Sequence, residues 1–459
     1  MQIPLRSICT GYLQRSATKQ VHKMPIFTRR SIQNLLNENR EFLTSKQMSI
    51  HVEKLNSQND SSIATVWEIV ILNALNKMGN VFHEKDFGGK THPDIYFESP
   101  DTDPFIADIT TISDENYDKE NPIGYFQEYL ATFFSKAGLT TKGLFFEVGS
   151  EKIGEYRDRK TKLALADKNK IPAFVKKEFT VIREAIKCAP NQPFKTTIKK
   201  EGILITVTYN PNSEYTSLTH ASYTTPYSLS RNPLFNALKK KTTQLNNSGF
   251  KGIMGVFVCD GDCDSLNNNM HSADKYSQAD IIQKVFMNNT ALSFVTVLSP
   301  EERYDSWRTT RKKFIKENIY ENSKAKYPVP QNLMEKICKI TKFIPVPESM
   351  PVNAKNSMKY RKHKGLSFYG GFTMRQDEIK ISSRMITELL AGVLDFKKFD
   401  SDQKQRTINK KNMIKEFFLR QYSDGKMIEN ITIEKCNDKD DDWIRFKYGT
   451  CDAAISRYK

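Results

Sequence analysis

The chain has 459 residues, and its 70 Lys and Arg against 53 Asp and Glu give a formal net charge of +17. A chain of this length can form several domains and bury a core without disulfide bonds. No apolar run approaches the roughly 18 residues that a membrane span requires, so we do not expect a membrane protein. The positive charge favours a polyanionic partner such as nucleic acid, because neutralising phosphates releases their counterions.

Residues 1–37 contain six Lys or Arg and no acidic residue. This composition mildly resembles an organellar transit peptide, but a basic N-terminal arm is the simpler interpretation. We predict a basic arm and a helix within residues 1–60. The seven cysteines form neither a paired framework nor two CxxC motifs. This usage favours a reducing compartment, so we expect a cytoplasmic protein.

Residues 61–112 show the clearest succession of predicted elements. Apolar residues recur at helical spacing from Ser61 to Gly79, which predicts a helix. Three short strands are predicted next, around residues 81–83, 94–97 and 105–112, separated by turns that contain Gly and Pro. The local order is therefore helix, strand, strand, strand.

The rest of the chain predicts a mixed α/β or α+β fold. Residues 115–231 carry elements of their own, including strands at 143–148 and 203–209, and are predicted to form a large insertion. A helix at 232–247, a strand at 252–259, a helix at 278–287 and a strand at 292–298 follow. This alternation predicts a sheet covered on at least one face. We place a domain boundary near Pro300, between a domain at 61–300 and a C-terminal α+β accessory domain at 301–459.

Two carboxylates are predicted to lie at the edges of neighbouring strands. Asp94 follows Pro93 at a strand entry, and Asp108 lies between Ala107 and Ile109. A turn residue and an outward-facing strand residue would be the simplest interpretations. However, a lone carboxylate in so apolar a strand would be costly to bury. A pair of carboxylates is a typical protein contribution to a magnesium site.

Glu68 is the only charged residue between Ile63 and Lys77. It either faces solvent from a half-buried helix or reaches a cation. Together with Asp94 and Asp108, it could belong to a divalent-metal site for phosphodiester hydrolysis, where the cation neutralises charge on the transition state and activates water.

This combination resembles the PD-(D/E)XK, or restriction-endonuclease-like, nuclease superfamily. The resemblance covers residues 61–112 and the later helix and strand to about residue 260. It implies an α-β-β-β-α-β core and Mg²⁺ or Mn²⁺ bound by Asp94 and Asp108, with Glu68 in support. The family places a lysine two residues after its second acid, and this chain has Thr110 there.

The helix that contains Lys241 and Gln244 offers a replacement for the missing lysine. These residues are three positions apart and share one face, next to Leu238 and Leu245. The pattern is similar to a Leu-x-x-Lys-x-x-Gln-Leu helix that follows the PD motif in uncharacterised prokaryotic proteins. A solvated lysine cluster is the alternative, and we favour it for Lys239 and Lys240.

Lys85 and Lys90 are weaker candidates for the same cationic role. Two basic segments with interleaved aromatic residues could follow a phosphate backbone and stack on bases. Solvated surface charge is the alternative interpretation of both segments. The candidate nucleic-acid-binding residues in them are Arg311, Lys312, Lys359, Arg361 and Lys362.

We therefore predict a metal-dependent nuclease, specifically a DNA endonuclease. The resemblance implies a role in bacterial anti-phage defence, with a partner protein of the defence system, and we expect a homo-oligomer. One alternative is a nuclease-fold nucleic-acid-binding protein that has lost turnover, since Thr110 replaces the expected lysine. A second alternative is a scaffold or regulatory subunit whose basic surface meets an acidic protein partner.

Overall fold

The computed structural model describes most of the chain between residues 10 and 450. The described residues are 10–13, 26–56, 61–114, 121–154, 160–221, 229–267, 276–305, 310–352, 354, 372–392, 395–397, 399–400, 411–436 and 442–450. They form a mixed α/β protein with several sheets, as predicted. Within these ranges, no helix combines the length and apolar character that crossing a membrane requires.

The elements are numbered here in chain order. The strands are β1 (Thr10–Leu13), β2 (Asn80–Phe82), β3 (Ile95–Ser99), β4 (Thr102–Ile112), β5 (Leu144–Val148), β6 (Ser150–Ile153), β7 (Lys160–Leu163), β8 (Phe194–Lys200), β9 (Ile203–Tyr209), β10 (Thr216–His220), β11 (Ile253–Asp260), β12 (Phe294–Asp305), β13 (Thr310–Glu321), β14 (Phe372–Met374), β15 (Glu378–Ser382), β16 (Ile428–Glu434) and β17 (Trp443–Tyr448). The α-helices are α1 (Arg29–Asn39), α2 (Ser45–Asn56), α3 (Ser61–Asn76), α4 (Ile123–Ser135), α5 (Ile171–Cys188), α6 (Pro233–Asn246), α7 (Asp264–Asn267), α8 (Gln278–Asn288), α9 (Gln331–Ile337), α10 (Ser383–Leu390) and α11 (Met413–Ser423).

The chain divides into two compact units. The first comprises Met1–Gln20, Ser113–Asn236 and Cys263–Ile281, and the second comprises Val21–Ile112, Ala237–Asp262 and Ile282–Lys459. The predicted insertion at 115–231 thus falls in the first unit. The candidate residues Glu68, Asp94, Asp108, Lys241 and Gln244 all fall in the second unit.

The second unit contains a six-stranded sheet in the order β13-β12-β11-β4-β3-β2. Strands β4, β11 and β12 are parallel, whereas β2, β3 and β13 pair antiparallel with their neighbours. Strand β11 is buried along its whole length, as expected for an apolar strand whose two faces are both covered. At Gly255 of β11, an added Cβ atom would lie 2.0 Å from the ring of Phe294, so this close pairing of β11 with β12 requires glycine.

Helix α3 joins the helical layer of the second unit to this sheet. Trp67 is completely buried, and its Nε1–H donates to the carbonyl oxygen of Asp260 at 2.9 Å. On the other side, the amide of Asn73 donates to Asn39 Oδ1 at 2.8 Å, and the amide of Asn39 donates to the Ile69 carbonyl at 3.1 Å. These bonds between buried groups fix α3 against α1, because unpaired amides would be costly there.

The prediction of a basic arm over residues 1–37 needs correction from residue 26 onwards. Residues 26–56 contain helices α1 and α2, whose apolar side chains belong to the main core; Ile32, Leu35 and Met48 are all buried. The basic residues Arg29 and Arg30 precede a stripe of apolar residues at helical spacing, and that stripe determines the packing. The predicted arm at residues 1–9 and 14–25 lies outside the described residues.

The first unit has its own sheet and core. Its five strands follow the order β1-β10-β5-β9-β8, and β5 and β9 correspond to the two strands predicted in this segment. Helices α4 and α5 supply apolar residues to its core, which includes Phe126, Phe146, Phe179 and Ile205. A separate hairpin pairs β6 with β7.

The boundary predicted near Pro300 also needs correction. Strand β12 continues through this residue to Asp305 and pairs with β13 along its full length, so the six-stranded sheet extends to residue 321. The pairing of β12 with β11 ends at Leu298. Pro300 therefore lies where β12 has a partner on one side only, a position in which the missing N–H of proline is tolerated.

The C-terminal part of the second unit forms a smaller sheet of its own. Its strands follow the order β14-β15-β17-β16 and all neighbouring strands are antiparallel. Helices α10 and α11 accompany it, and Ile379, Met385, Phe417 and Tyr448 form its apolar cluster. The α+β character predicted for this region describes these elements.

Candidate active site

The antiparallel pairing of β3 with β4 brings Asp94 and Asp108 together. Ile95 is paired with Ala107, so the residue before β3 meets the middle of β4. The backbone N–H of Asp94 donates to Asp108 Oδ1 at 3.1 Å, and the N–H of Ile109 donates to Asp94 Oδ2 at 2.7 Å. Each carboxylate thus accepts a hydrogen bond from a backbone N–H at or beside the other acid, and these two bonds fix both side chains.

Lys241 joins this pair from helix α6, 147 residues beyond Asp94 in the chain. Its Nζ lies 3.1 Å from Asp94 Oδ2 and 3.5 Å from Asp108 Oδ2. Leu238 and Leu245 on the same helix are almost completely buried, so apolar packing of α6 determines where the ammonium group points. The structure therefore brings together the two predicted acids and the predicted lysine.

Burial and charge shift the pKa values of this group. Burial, and then the charge of Asp94, raises the pKa of Asp108 to about 6, although Lys241 acts in the opposite direction. Burial disfavours the charged form of Lys241, but the carboxylates of Asp94 and Asp108 outweigh it and raise the pKa of the lysine. The buried Asp108 and the half-buried Asp94 share one cation, so the cluster carries excess negative charge when both acids are ionised.

Glu68 lies in a second cluster, between two histidines. Its Oε2 is 3.9 Å from His51 Nδ1 on α2, and its Oε1 is 3.7 Å from His83 Nε2, just after β2. Burial, and then the charge of Asp94, raises the pKa of Glu68. Burial, and then the charge of His83, lowers the pKa of His51 to about 4. Glu68 is therefore near enough to sense Asp94, but its nearest polar neighbours are imidazoles.

One hydrogen bond links the two clusters. The Nδ1 of His83 lies 2.7 Å from the backbone carbonyl oxygen of Asp94. This bond leaves the carboxylate of Asp94 directed towards Asp108 and Lys241. His83 therefore helps to fix the backbone of Asp94, which contacts both Asp108 and Lys241.

The predicted Gln244 contributes a buried polar atom close to Lys241 on α6. Its side-chain Oε1 has no hydrogen-bond partner within the described parts of the chain. Its backbone carbonyl accepts a hydrogen bond from Thr91 Oγ1 at 2.5 Å, which ties α6 to the loop before Asp94. An unpaired amide oxygen in a buried position is available to a ligand.

The other cationic candidates are placed differently. Lys85 packs its ammonium over the ring of Tyr96, 3.8 Å from the centroid, and Lys90 is exposed. Lys239 and Lys240 are also exposed, in agreement with the solvated-face interpretation. Thr110 shares the face of Asp108 on β4 because side chains two positions apart point to the same side, but it brings no charge there.

The predicted nucleic-acid-binding residues fall in two regions. Arg311 and Lys312 lie on β13, an edge strand of the six-stranded sheet, and Lys312 is exposed. Arg303 on β12, opposite Lys312, stacks its guanidinium over Phe314 at 5.3 Å. Lys359, Arg361 and Lys362 lie outside the described residues.

Two functional candidates, His51 and His83, were not predicted from the sequence. His51, Glu68 and His83 are separated by 17 and 15 residues, and no local motif has this spacing. The sequence offered one signal for His83, which is the last residue of a predicted strand next to the strand that follows Asp94. His51 gave none, because a single histidine on a helix is usually structural.

The donors in the first cluster suit a hard divalent cation. The hydrogen bonds and ion pairs of the described residues engage Asp94 Oδ2 and both oxygens of Asp108, and leave Asp94 Oδ1 without a donor. Such carboxylate oxygens are the ligands that Mg²⁺ takes from proteins. No family model, curated protein or solved structure matches this chain.

Proposed function

We propose that this chain is a metal-dependent nuclease that hydrolyses phosphodiester bonds, most specifically a DNA endonuclease. The observation that supports this proposal is the meeting of Asp94, Asp108 and Lys241 at one place in the second unit. Two carboxylates and a lysine on this arrangement of elements are the groups that the PD-(D/E)XK resemblance implies. The order α3, β2, β3, β4, α6, β11 is also the order expected of that core.

In this proposal, Asp94 and Asp108 would hold Mg²⁺ or Mn²⁺. The bound cation would neutralise charge on the scissile phosphate and lower the pKa of the attacking water. The chain's own groups would position the reactants. Lys241 would donate from Nζ to the water or to a phosphate oxygen, and the free Oε1 of Gln244 would accept a hydrogen bond from the water.

The position of Lys241 bears on the alternative of an impaired enzyme. Thr110 cannot supply a positive charge, so the position where the family has its lysine provides no cation in this chain. The Nζ of Lys241 lies within 3.5 Å of both carboxylates, where it can provide the missing cation. We therefore favour an active nuclease over a protein that binds nucleic acid without turnover. A DNA partner, a homo-oligomer and a defence role remain predictions.

The test is cleavage of supercoiled plasmid by the purified full-length protein with Mg²⁺ or Mn²⁺. We expect the wild type to nick or linearise the DNA and Asp94→Asn to lose at least about 100-fold in rate. Asp103→Asn, an exposed acid on the same strand as Asp108, is the matched control and should cleave like wild type. Single-stranded RNA in a parallel reaction would decide between DNA and RNA.

Three outcomes would overturn the proposal. If Asp94→Asn cleaves at the wild-type rate, the activity belongs to a contaminant. If the wild type does not cleave but retains DNA in a salt-sensitive manner, the chain is a nuclease-fold binding protein. Absence of both activities would favour the scaffold alternative.

A further inference from the structure

His51, Glu68 and His83 converge although they come from three different elements of the second unit. One potential ligand atom from each residue lies within 4.8 Å of the other two. The side chains of His51 and His83 are 2% and 4% exposed, and that of Glu68 is 19% exposed. The cluster is thus largely buried, with the carboxylate on its more open side.

The hydrogen bond of His83 fixes which of its nitrogens carries a lone pair. The carbonyl oxygen of Asp94 can only accept, so Nδ1–H of His83 donates to it at 2.7 Å. In a neutral imidazole, Nε2 then carries the lone pair. This nitrogen is the one that faces Glu68 Oε1 at 3.7 Å, a separation too long for a hydrogen bond. An imidazole lone pair and a carboxylate oxygen that face each other repel unless a proton or a metal cation lies between them.

The environment of His51 makes the same demand. Neither of its ring nitrogens has a hydrogen-bond partner within the described residues, although the side chain is 2% exposed. Leaving a polar nitrogen unpaired in a buried position is costly. Its Nδ1 is directed towards Glu68 Oε2 at 3.9 Å, and its ring is tilted by 33° to that of His83 at 5.5 Å. Both imidazoles therefore present unsatisfied nitrogens to one carboxylate.

We propose that His51, Glu68 and His83 bind one divalent first-row transition-metal ion, of the Zn²⁺ or Co²⁺ type. Two imidazoles and one carboxylate suit this class of ion, whereas Mg²⁺ prefers a shell of oxygen atoms alone. The hydrogen bond from His83 to the Asp94 carbonyl is the usual outer contact of a metal-binding histidine, which orients the ring and fixes its tautomer.

The ligand atoms must approach one another to bind such an ion. Zinc lies about 2.0–2.2 Å from nitrogen and oxygen ligands, which places tetrahedral ligands roughly 3.4 Å apart. The separations of 3.7 and 3.9 Å involve Glu68 Oε1 and Oε2 respectively, and one ligand atom from each residue lies within 4.8 Å of the others, so these atoms would have to approach one another by up to about 1.4 Å. Three protein ligands leave a fourth position open for water or for a ligand oxygen, as in catalytic rather than structural sites.

This site is distinct from the pair formed by Asp94 and Asp108. The proposal does not depend on nuclease activity, because metal binding can be measured on an inactive protein. Glu68 is thereby assigned to the ion bound by the histidines. The hydrogen bond from His83 to the backbone carbonyl of Asp94 connects this site to the first cluster. A change in the carboxylates of the first cluster should therefore leave this ion bound.

The test is metal binding by the purified full-length protein after removal of metals with EDTA. Titration with Co²⁺ or Zn²⁺ should give one tight equivalent, and Co²⁺ should produce visible d–d absorption of a four- or five-coordinate ion. We expect His51→Gln and His83→Gln to weaken this binding at least about 100-fold. His92→Gln, which changes an exposed histidine of the same unit, should stay within about threefold of wild type.

X-ray absorption on the zinc-loaded wild type decides the question even if the histidine variants fail to fold. Imidazole nitrogen and carboxylate oxygen in the first shell are the expected result. Sulfur in that shell would overturn the proposal, because the ion would then be bound by some of the seven cysteines. The proposal also fails if His51→Gln binds zinc as tightly as wild type, or if the wild type takes up no ion; a buried water would then explain the orphaned nitrogens.

Discussion

The second unit contains two polar clusters, one formed by Asp94, Asp108 and Lys241 and the other by His51, Glu68 and His83. One hydrogen bond links them, but their buried polar groups differ in how far they are paired. In the first, Lys241 lies within 3.5 Å of both Asp94 and Asp108, so the chain itself compensates one of the two negative charges. In the second, His51 and His83 face Glu68 across distances too long for hydrogen bonds. The groups of the first cluster pair with one another without a bound ion, whereas, within the described residues, the imidazole nitrogens of the second that face Glu68 have no hydrogen-bond partner until a ligand binds between them.

The largest effect should come from removing the cation of the first cluster. We expect Lys241→Met to lower the rate of DNA cleavage about 1,000-fold, because the ammonium group is the only positive charge placed on both carboxylates among the described residues. The measurement is initial rate on plasmid in Mg²⁺. Lys240→Met, one position away on the exposed face of α6, should keep the wild-type rate. Equal losses in the two variants would contradict a specific role for Lys241.

Lys241→Met should also lower the stability of the protein, because Lys241 compensates the carboxylates of the first cluster. Without Lys241, the buried carboxylate of Asp108 and the half-buried carboxylate of Asp94 lose their partner, so in EDTA we expect Lys241→Met to lower the free energy of unfolding by about 3 kcal/mol. Added Mg²⁺ should restore part of this loss if the ion binds there. Urea titrations with and without Mg²⁺ measure both effects. Unchanged stability in EDTA would mean that the lysine is not compensating the acids.

The two clusters should respond to pH in opposite directions when no metal is bound. The pKa of Asp108 is raised to about 6, so its contribution to stability is present below about pH 4 and is lost as the pH rises through about 6. The pKa of His51 is lowered to about 4, so its contribution is present above about pH 6.5 and is lost as the pH falls through about 4. Each shift corresponds to about 3 kcal/mol.

Unfolding in EDTA between pH 4 and pH 7 tests this contrast. Relative to wild type, Asp108→Asn should gain stability as the pH rises, and His51→Gln should gain stability as the pH falls. Burial also raises the pKa of Glu68, but this residue is unchanged in both variants, so its contribution cancels to first order. Parallel pH profiles for the two variants would show that the clusters do not differ in this way.

The smallest effect should come from Gln244. Its free side-chain oxygen lies on the same helix face as Lys241, so Gln244→Met should lower the cleavage rate roughly tenfold by loosening the position of water. The unfolding free energy should change little, because the oxygen has no partner to lose. Steady-state rates and urea titrations of this variant give both numbers. A loss of stability without a loss of rate would make Gln244 a packing residue only.

Sequence alone determined the local elements of the candidate site. Periodicity predicted α3, the three following strands, α6 and β11, because the spacing of apolar residues records which face of each element is covered. It also identified Asp94 and Asp108, because a carboxylate within apolar neighbours on a short strand needs a partner. Lys241 came from the resemblance of its helix, together with the missing charge at Thr110.

Only the tertiary structure decided which distant residues meet. His51 and His83 join Glu68 because α2 packs on α3 and β2 pairs with β3, and no spacing in the sequence encodes those contacts. Pro300 suggested a boundary, but the long pairing of β12 with β13 carries the sheet past it. Residues 26–37 were predicted to belong to a basic arm, yet the apolar residues of α1 pack against α3. Local pattern fixes an element and its covered face, while the partner that covers it depends on the packing of the whole unit.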